Sequence, residues 1–370
     1  MPRPPLLFLS RPIRFPEPPV KITLAACAAA LAIAAPAWAQ DADTTARVTF
    51  GAFVDGYYAY DFNRPPGHDR AFTTQAQRHD EFAVNLAHVE AKYQSTRARG
   101  RLALQAGTSV HANYAGEPDS IAGFQNLFPL IQEAYAGIAV TPTLWVDAGI
   151  FFSHIGGESW ISADNPNYTR SLPAEFSPYY ETGVRASWQA APSLAVTAVV
   201  VNGWQNISEN NHDKAAGIRL DWTASPAVTL SYSNFVGREP HASTGDHDVR
   251  FFNDVSARIT PSSRVLIIPT FDIGTQDGDT WYAASLVGRY AVTPTVAVNG
   301  RVERYDDRDG VIAPGLRTNG ASLGLDVARG PALWRTEVRG FFGGDDAIFP
   351  GHDGAKKSDV AAVTSIAVRF

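Results

Sequence analysis

The chain has 370 residues, a formal net charge of −6, 45% hydrophobic and 18% charged residues, and a single cysteine. This acidic balance disfavours nucleic acid as a partner, because no basic surface stands out in the sequence. The single cysteine excludes an internal disulfide.

The N-terminal segment has the features of a secretory leader. Lys21 precedes an apolar run over residues 22–35, and the small-x-small site Ala37-Trp38-Ala39 follows it. The run is too short for a membrane helix, and no stop-transfer pattern follows. We therefore expect a signal peptide over residues 1–39 and a mature chain over residues 40–370.

We consider two further hypotheses about this leader. Residues 1–19 are Pro-rich, which is unusual for a leader, so we also consider a start of translation at Val20. The segment Leu24–Cys27 resembles a lipoprotein signal, but only two residues separate it from Lys21, too few for an apolar region. Cleavage after Ala39 would leave no cysteine and a net charge of −9.

The rest of the chain alternates apolar and polar residues with period two. In "LWRTEVRGFF" (333–342), Trp334 and Val338 lie on one face, and Arg335, Glu337 and Arg339 lie on the other. Such segments run for about 12 residues, whereas soluble strands usually have about 5–6 and membrane strands need about 9–11. The pattern predicts transmembrane strands, apolar outside and polar inside.

The connections between these segments alternate strictly between short turns and mostly longer, polar loops. Seven turns, eight loops and two termini predict about sixteen strands, with short periplasmic turns and long extracellular loops. The count is open by two, because "TQDGD" (275–279) is a weak loop signal. We expect an all-β, antiparallel barrel, closed by pairing residues 47–62 with residues 359–370 because hydrocarbon tolerates no free sheet edge.

Aromatic residues gather near the predicted strand ends, as in the interfacial girdles of membrane barrels. Examples are Trp188, Trp204, Trp281 and Tyr305. The last residue, Phe370, ends an outward-alternating strand, and we expect it to lie at the membrane interface.

Several segments together resemble the OmpL-like β-barrel porins. They are "GAFVDGYYAYDF", "AGIFFSHIGGES", "NPNYTRSLPAEFSPYYETGVR" and the terminal Phe370. The resemblance covers essentially the whole mature chain and implies a barrel with a channel role and no catalytic residues. It also implies that the assembly machinery of the outer membrane recognises the strand ending at Phe370.

Charged residues predicted to face the barrel interior are of both signs, as on the wall of a general pore. The pore-lining candidates are Asp55, Arg185, Arg219, Arg250, Asp254, Arg258, Arg289, Arg301, Glu303, Arg335, Glu337 and Arg339. The alternative is that they are solvated residues in salt-bridge ladders. The longest loop, 153–179, is a candidate constriction with Tyr168, Arg170 and Glu175 at its narrow point, or a disordered segment. The apolar tail of loop 112–131 predicts a short helix that caps or plugs the mouth.

Two common enzyme motifs are missing from the sequence. It contains no His-Glu-x-x-His and no phosphate-loop pattern. His88, His111 and His154 are the candidate bases for a Ser/His pair, and none of them has an evident nucleophile partner. The acidic clusters at 305–310 and 343–346 miss the spacing of a calcium loop. We therefore predict no enzyme activity, no cofactor and no metal site.

These features favour a porin in the outer membrane of a Gram-negative bacterium, passing small hydrophilic solutes or ions by passive diffusion. The expected partners are outer-membrane lipids, the barrel assembly machinery and the solutes. The alternative is a non-conducting barrel whose extracellular loops bind a ligand or partner. The solute, the ion selectivity and the oligomeric state stay open, although sixteen-stranded barrels commonly form homotrimers.

Overall fold

A computed structural model describes residues 46–121, 123–344 and 346–370. The expected signal peptide, its cleavage site and the alternative start at Val20 lie outside these residues. The described chain forms a closed antiparallel barrel of sixteen strands, as the alternation predicted.

The strands follow one another around the barrel in chain order, each paired with its neighbours in sequence. They are β1 (Arg47–Asp61), β2 (Phe82–Gln94), β3 (Ala98–Ala106), β4 (Ile131–Thr141), β5 (Leu144–Phe152), β6 (Tyr180–Ala191), β7 (Leu194–Val201), β8 (Ala215–Ser225), β9 (Val228–Pro240), β10 (His247–Ser262), β11 (Val265–Gln276), β12 (Asp279–Ala291), β13 (Val296–Asp306), β14 (Arg317–Arg329), β15 (Ala332–Phe342) and β16 (Asp359–Arg369).

The barrel closes where β1 pairs with β16. The register runs from Phe53 opposite Arg369 to Asp61 opposite Ala361. Beyond it, Ala52 and Phe370 exchange two main-chain hydrogen bonds of 2.7 and 3.0 Å. From Ala52 to Asp61 the backbone of β1 is thus paired with β16, as a hydrocarbon environment requires, whereas residues 47–51 pair with β2 alone.

One end of the barrel carries seven short turns of two to four residues. Seven of the eight connections at the other end are longer, and the eighth is the two-residue turn Asp277–Gly278. Both turn residues have positive φ, 50° and 88°, which is the backbone of the tight hairpin turn that Asp-Gly favours. Residues 275–279 therefore do contain a hairpin connection, and the predicted number of sixteen strands is confirmed.

The outer surface of the barrel is apolar. Phe50 is 82% exposed, Leu323 76% and Ile366 62%, while their neighbours in each strand point inward. Such a continuous apolar belt is stable against lipid and not against water.

The interior is less uniformly polar than predicted. The aromatic girdle assignment is correct for Trp188, which is exposed on the outside, and wrong for Trp281 and Tyr305, which are each 1% exposed and face inward. At the long-loop end these two side chains join an internal apolar cluster with Phe252 and the loop residue Trp204. Strand ends alone did not reveal which face each aromatic occupies.

The loop between β3 and β4 also differs from expectation. It begins with α1 (Thr108–Asn113), and its apolar tail forms only a short 3₁₀ turn, Phe128–Leu130. Phe124 is 78% and Leu127 60% exposed, so this tail does not plug the barrel. Within the described residues no helix is long and apolar enough to cross a membrane.

Candidate functional site

The loop between β5 and β6, residues 153–179, folds into the barrel, and we call it the inner loop. Its side chains are largely buried: Trp160 is 5%, Tyr168 2% and Leu172 0% exposed. It contains a 3₁₀ turn, Ser162–Asp164, and a short helix, α2 (Leu172–Glu175). Ser171 caps the N-terminus of α2, with Oγ accepting from the Ala174 amide at 3.4 Å. The inner loop is therefore an ordered element.

Arg335 of β15 binds the backbone of the inner loop. Its guanidinium donates to the carbonyls of Ser162 at 2.6 Å, Asn165 at 2.8 Å and Pro166 at 2.6 Å. It also pairs with Asp326 of β14 at 2.9 Å. The planar fork of Arg suits such a cluster of acceptors, and Asp326 neutralises its buried charge.

Arg301 and Glu337 bind the next part of the inner loop. Arg301 donates to the carbonyl of Thr169 at 2.6 Å. Glu337 accepts from the amide of Thr169 at 2.7 Å and from its hydroxyl at 2.9 Å. One residue of the loop is thus held by a cation and an anion of the wall, which fixes both its position and its orientation.

Glu303 holds the start of α2. Its carboxylate accepts from the amide of Leu172 at 2.7 Å and pairs with Arg339 at 2.8 Å. A carboxylate at this position satisfies an amide that the helical turn leaves unpaired. The charges of β13–β15 therefore form one network whose centre is the inner loop.

The opposite side of the inner loop contacts β1 and the loop 62–81. Ser162 donates to Asp55 at 2.6 Å. Gln75, 1% exposed, donates to the carbonyl of Trp160 at 2.8 Å. Thr74 donates to Glu175 at 2.6 Å. The inner loop is therefore also held by β1, which lies two strands from β15 in the wall, and by the loop 62–81.

Arg170 lies in the middle of these contacts and is wholly buried. Its Nη2 donates to Thr74 at 2.7 Å and approaches Glu175 at 3.4 Å, while its guanidinium stacks on the ring of Tyr179. Burial lowers the pKa of Arg170 to about 10, so the side chain stays charged at neutral pH. The three predicted constriction residues thus lie within the barrel, Arg170 beside Glu175 and Tyr168 packed near Tyr57.

The other candidate lining residues also lie on the inner face of their strands, among side chains of the wall: Arg185, Arg219, Arg250, Asp254, Arg258 and Arg289. Arg185 pairs with Asp147 at 2.9 Å, and Arg250 donates to Gln276 at 2.9 Å. Arg258 is exposed near the short-turn end. Whether any of these residues lines a conducting path stays a prediction.

Two contributors to the site were not identified from the sequence. Asp147, fully buried, pairs with Arg99 at 2.6 Å and also with Arg185. Its inward position in β5 follows from the alternation, so the pattern could have found it. The inward fold of loop 62–81 has no such signal, because its polar composition is that of an exposed loop.

Residues 47–370 match the family model described as "Putative beta-barrel porin-2, OmpL-like". The chain belongs to this porin family. The match covers most of the chain, confirms the resemblance drawn from its segments and, with the fold, places this porin in the outer membrane. No curated protein matches the porin in sequence.

Solved outer-membrane proteins share the fold of this porin at low sequence identity. The channel DcaP of Acinetobacter baumannii is 12% identical, with a TM-score of 0.59 over 88% of the porin and 97% of DcaP. OmpF of Salmonella typhi in complex with daunomycin is 11% identical, with a TM-score of 0.59 over 88% and 98%. OmpT of Vibrio cholerae in its trimer form is 12% identical, with a TM-score of 0.56 over 88% and 100%.

Proposed function

We propose that this porin forms a water-filled channel for passive diffusion of small hydrophilic solutes or ions, narrowed by the inner loop. The observation that supports this most is the inner loop itself, held across the interior by Arg335 of β15 at its middle and by Arg219 of β8 at its start. In this proposal the loop narrows the passage to one bordered by charged and polar side chains, an arrangement that selects solutes by size and charge.

Recording from purified porin in planar bilayers tests the proposal. A channel gives discrete conductance steps, and a step size that grows when the inner loop is replaced by a short turn. Bilayers that stay silent in several salts would contradict it. Because the proposed role is passive, no turnover of a lipid or ester substrate is expected.

The second candidate is a non-conducting barrel whose loops bind a ligand or partner. It is favoured by the close packing of the interior, where Leu172, Arg170 and Trp281 are almost fully buried. In that case the loop replacement abolishes partner binding and opens a conductance that the native protein lacks. The two functions therefore predict different native recordings from the same pair of proteins.

The biogenesis of the porin is part of the proposal. Export through a leader cleaved after Ala39 would deliver residues 40–370 to the periplasm. The strand ending at Phe370 would then be recognised by the barrel assembly machinery, and outer-membrane lipids would cover the apolar belt. A homotrimer is the proposed assembly, supported by the trimer form of the similar Vibrio cholerae OmpT.

A further inference from the structure

The start of the inner loop is held by a buried histidine. His154 lies two residues beyond β5, and its side chain is 0% exposed, as is that of Glu181 on β6. Nδ1 lies 2.9 Å from Glu181 Oε1, and Nε2 lies 2.7 Å from the main-chain carbonyl oxygen of Asn234 on β9. One imidazole therefore connects the loop to two strands of the wall.

These contacts determine how many protons His154 and Glu181 share. The Asn234 carbonyl only accepts, so Nε2 must carry a hydrogen. Glu181 already accepts from the Ser153 hydroxyl at 3.0 Å, and a second proton must lie between Nδ1 and its carboxylate. Without that proton two lone pairs would face each other at 2.9 Å in a buried site, which is strongly unfavourable.

The positively charged side chain of Arg219 lies near His154 and disfavours protonation of its ring. Arg219 of β8 donates to the carbonyl oxygens of His154 at 3.1 Å and Gly156 at 2.6 Å, and Asp221 pairs with Arg219 at 2.8 Å. Burial and Arg219 disfavour an imidazolium. The Glu181 carboxylate outweighs both, so the pKa of His154 is raised above its ordinary value.

Gly217 makes the contact with β9 sterically feasible. It faces inward on β8, which lies between β7 and β9, and a Cβ at this position would overlap the His154 ring and the main-chain oxygen of Asn234. Its φ is not in the left-handed region, so the glycine is required for space and not for backbone conformation. The wall is thus shaped to admit this imidazole.

We propose that His154 and Glu181 form a proton-dependent latch, which holds the start of the inner loop against the wall when protonated and releases it when the proton is lost. Because the folded pKa is raised, the latch contributes fully below the ordinary value of about 6.5 and is lost as pH rises through the higher folded value. The consequence for conductance rests on the proposed channel function, whereas the latch itself does not.

Nuclear magnetic resonance of porin labelled with ¹⁵N-histidine in detergent micelles tests the protonation. His154→Gln assigns the signals by their disappearance. We expect both ring nitrogens of His154 to carry protons at pH about 6 and to lose one with a midpoint above about 6.5. A neutral ring at pH 6, or a midpoint below the ordinary value, overturns the proposal.

Hydrogen exchange of the amides of Ile155 and Gly156 tests the release without requiring a channel. For each unit by which folding raises the pKa of His154, the equilibrium between held and released loop changes about tenfold across the midpoint. After correction for its intrinsic pH dependence, amide exchange should therefore accelerate by about that factor above the midpoint. His154→Gln should exchange rapidly at every pH, while the exposed His111→Gln should behave as wild type. Equal corrected exchange above and below the midpoint in wild type overturns the latch.

Gly217→Ala provides a second variant that leaves the histidine in place. The added methyl group displaces the ring from Asn234, so the His154 midpoint should fall and release should occur at lower pH. An unchanged midpoint contradicts the geometry.

In planar bilayers the wild-type conductance should change at the same midpoint, and His154→Gln should remove that change. Silent bilayers together with the expected exchange data reject the channel function and leave the latch intact.

Discussion

Replacing Arg335 by alanine removes the side chain with the largest number of contacts to the inner loop. Its guanidinium donates to three loop carbonyls at 2.6–2.8 Å and neutralises Asp326. Hydrogen bonds from a charged donor contribute about 1.5–3 kcal/mol each, and leaving one member of a buried ion pair unpaired costs about 3–5 kcal/mol. These terms overlap, so we expect the attachment of the inner loop to weaken by about 3–5 kcal/mol. That loss lowers the equilibrium constant for the attached loop more than a hundredfold.

Single-channel recording measures the effect. Arg335→Ala should give a larger conductance with frequent transitions between levels, because the loop no longer stays in one position. Arg289→Ala is the matched control, since Arg289 is 38% exposed and approaches the same Asp326 only at 3.9 Å. If Arg335→Ala and Arg289→Ala both conduct as wild type does, Arg335 does not hold the inner loop in place.

Three further changes test other parts of the structure. Glu337→Gln should weaken the attachment of Thr169 to the barrel wall by about 1.5–3 kcal/mol. The expected result is added open-channel noise, smaller than that of Arg335→Ala. Unchanged noise would show that Thr169 needs no charged acceptor. Val338→Arg places a charge on the lipid-facing surface. It should lower the free energy of unfolding from lipid vesicles, measured in urea, by about 2–4 kcal/mol. An unchanged free energy of unfolding would place Val338 outside the bilayer. Deletion of residues 359–370 removes β16 and leaves two unpaired edges, so refolding into vesicles should fail by circular dichroism and electrophoretic mobility.

The barrel could be predicted from the sequence because its determinant is local. Alternation places Val338 outside and Arg339 inside whatever the rest of the chain does, and the turn signals set the strand count. A pattern of this kind needs no knowledge of distant contacts.

The interior could be predicted only in part. The sequence identified the inner loop and its three candidate residues, but the partners of those residues lie far away along the chain, as Arg335 does from Ser162. The inward position of Trp281 and the contacts of loop 62–81 depend on how several loops pack together. No local period encodes that packing, so the structure was needed to find it.

The meander order of the strands has a consequence for how this chain can be rearranged. Every pairing in the wall joins sequence neighbours except that between β1 and β16. The pairing of β1 with β16 is therefore the one long-range closure, and it places Phe370 beside Ala52, five residues after the start of β1. A circular permutant that links Phe370 to Arg47 at the start of β1 through a short peptide, and opens the chain at the turn 292–295, would exchange one hairpin for another. Its sixteen pairings would be unchanged, and only the position of the final closure would move.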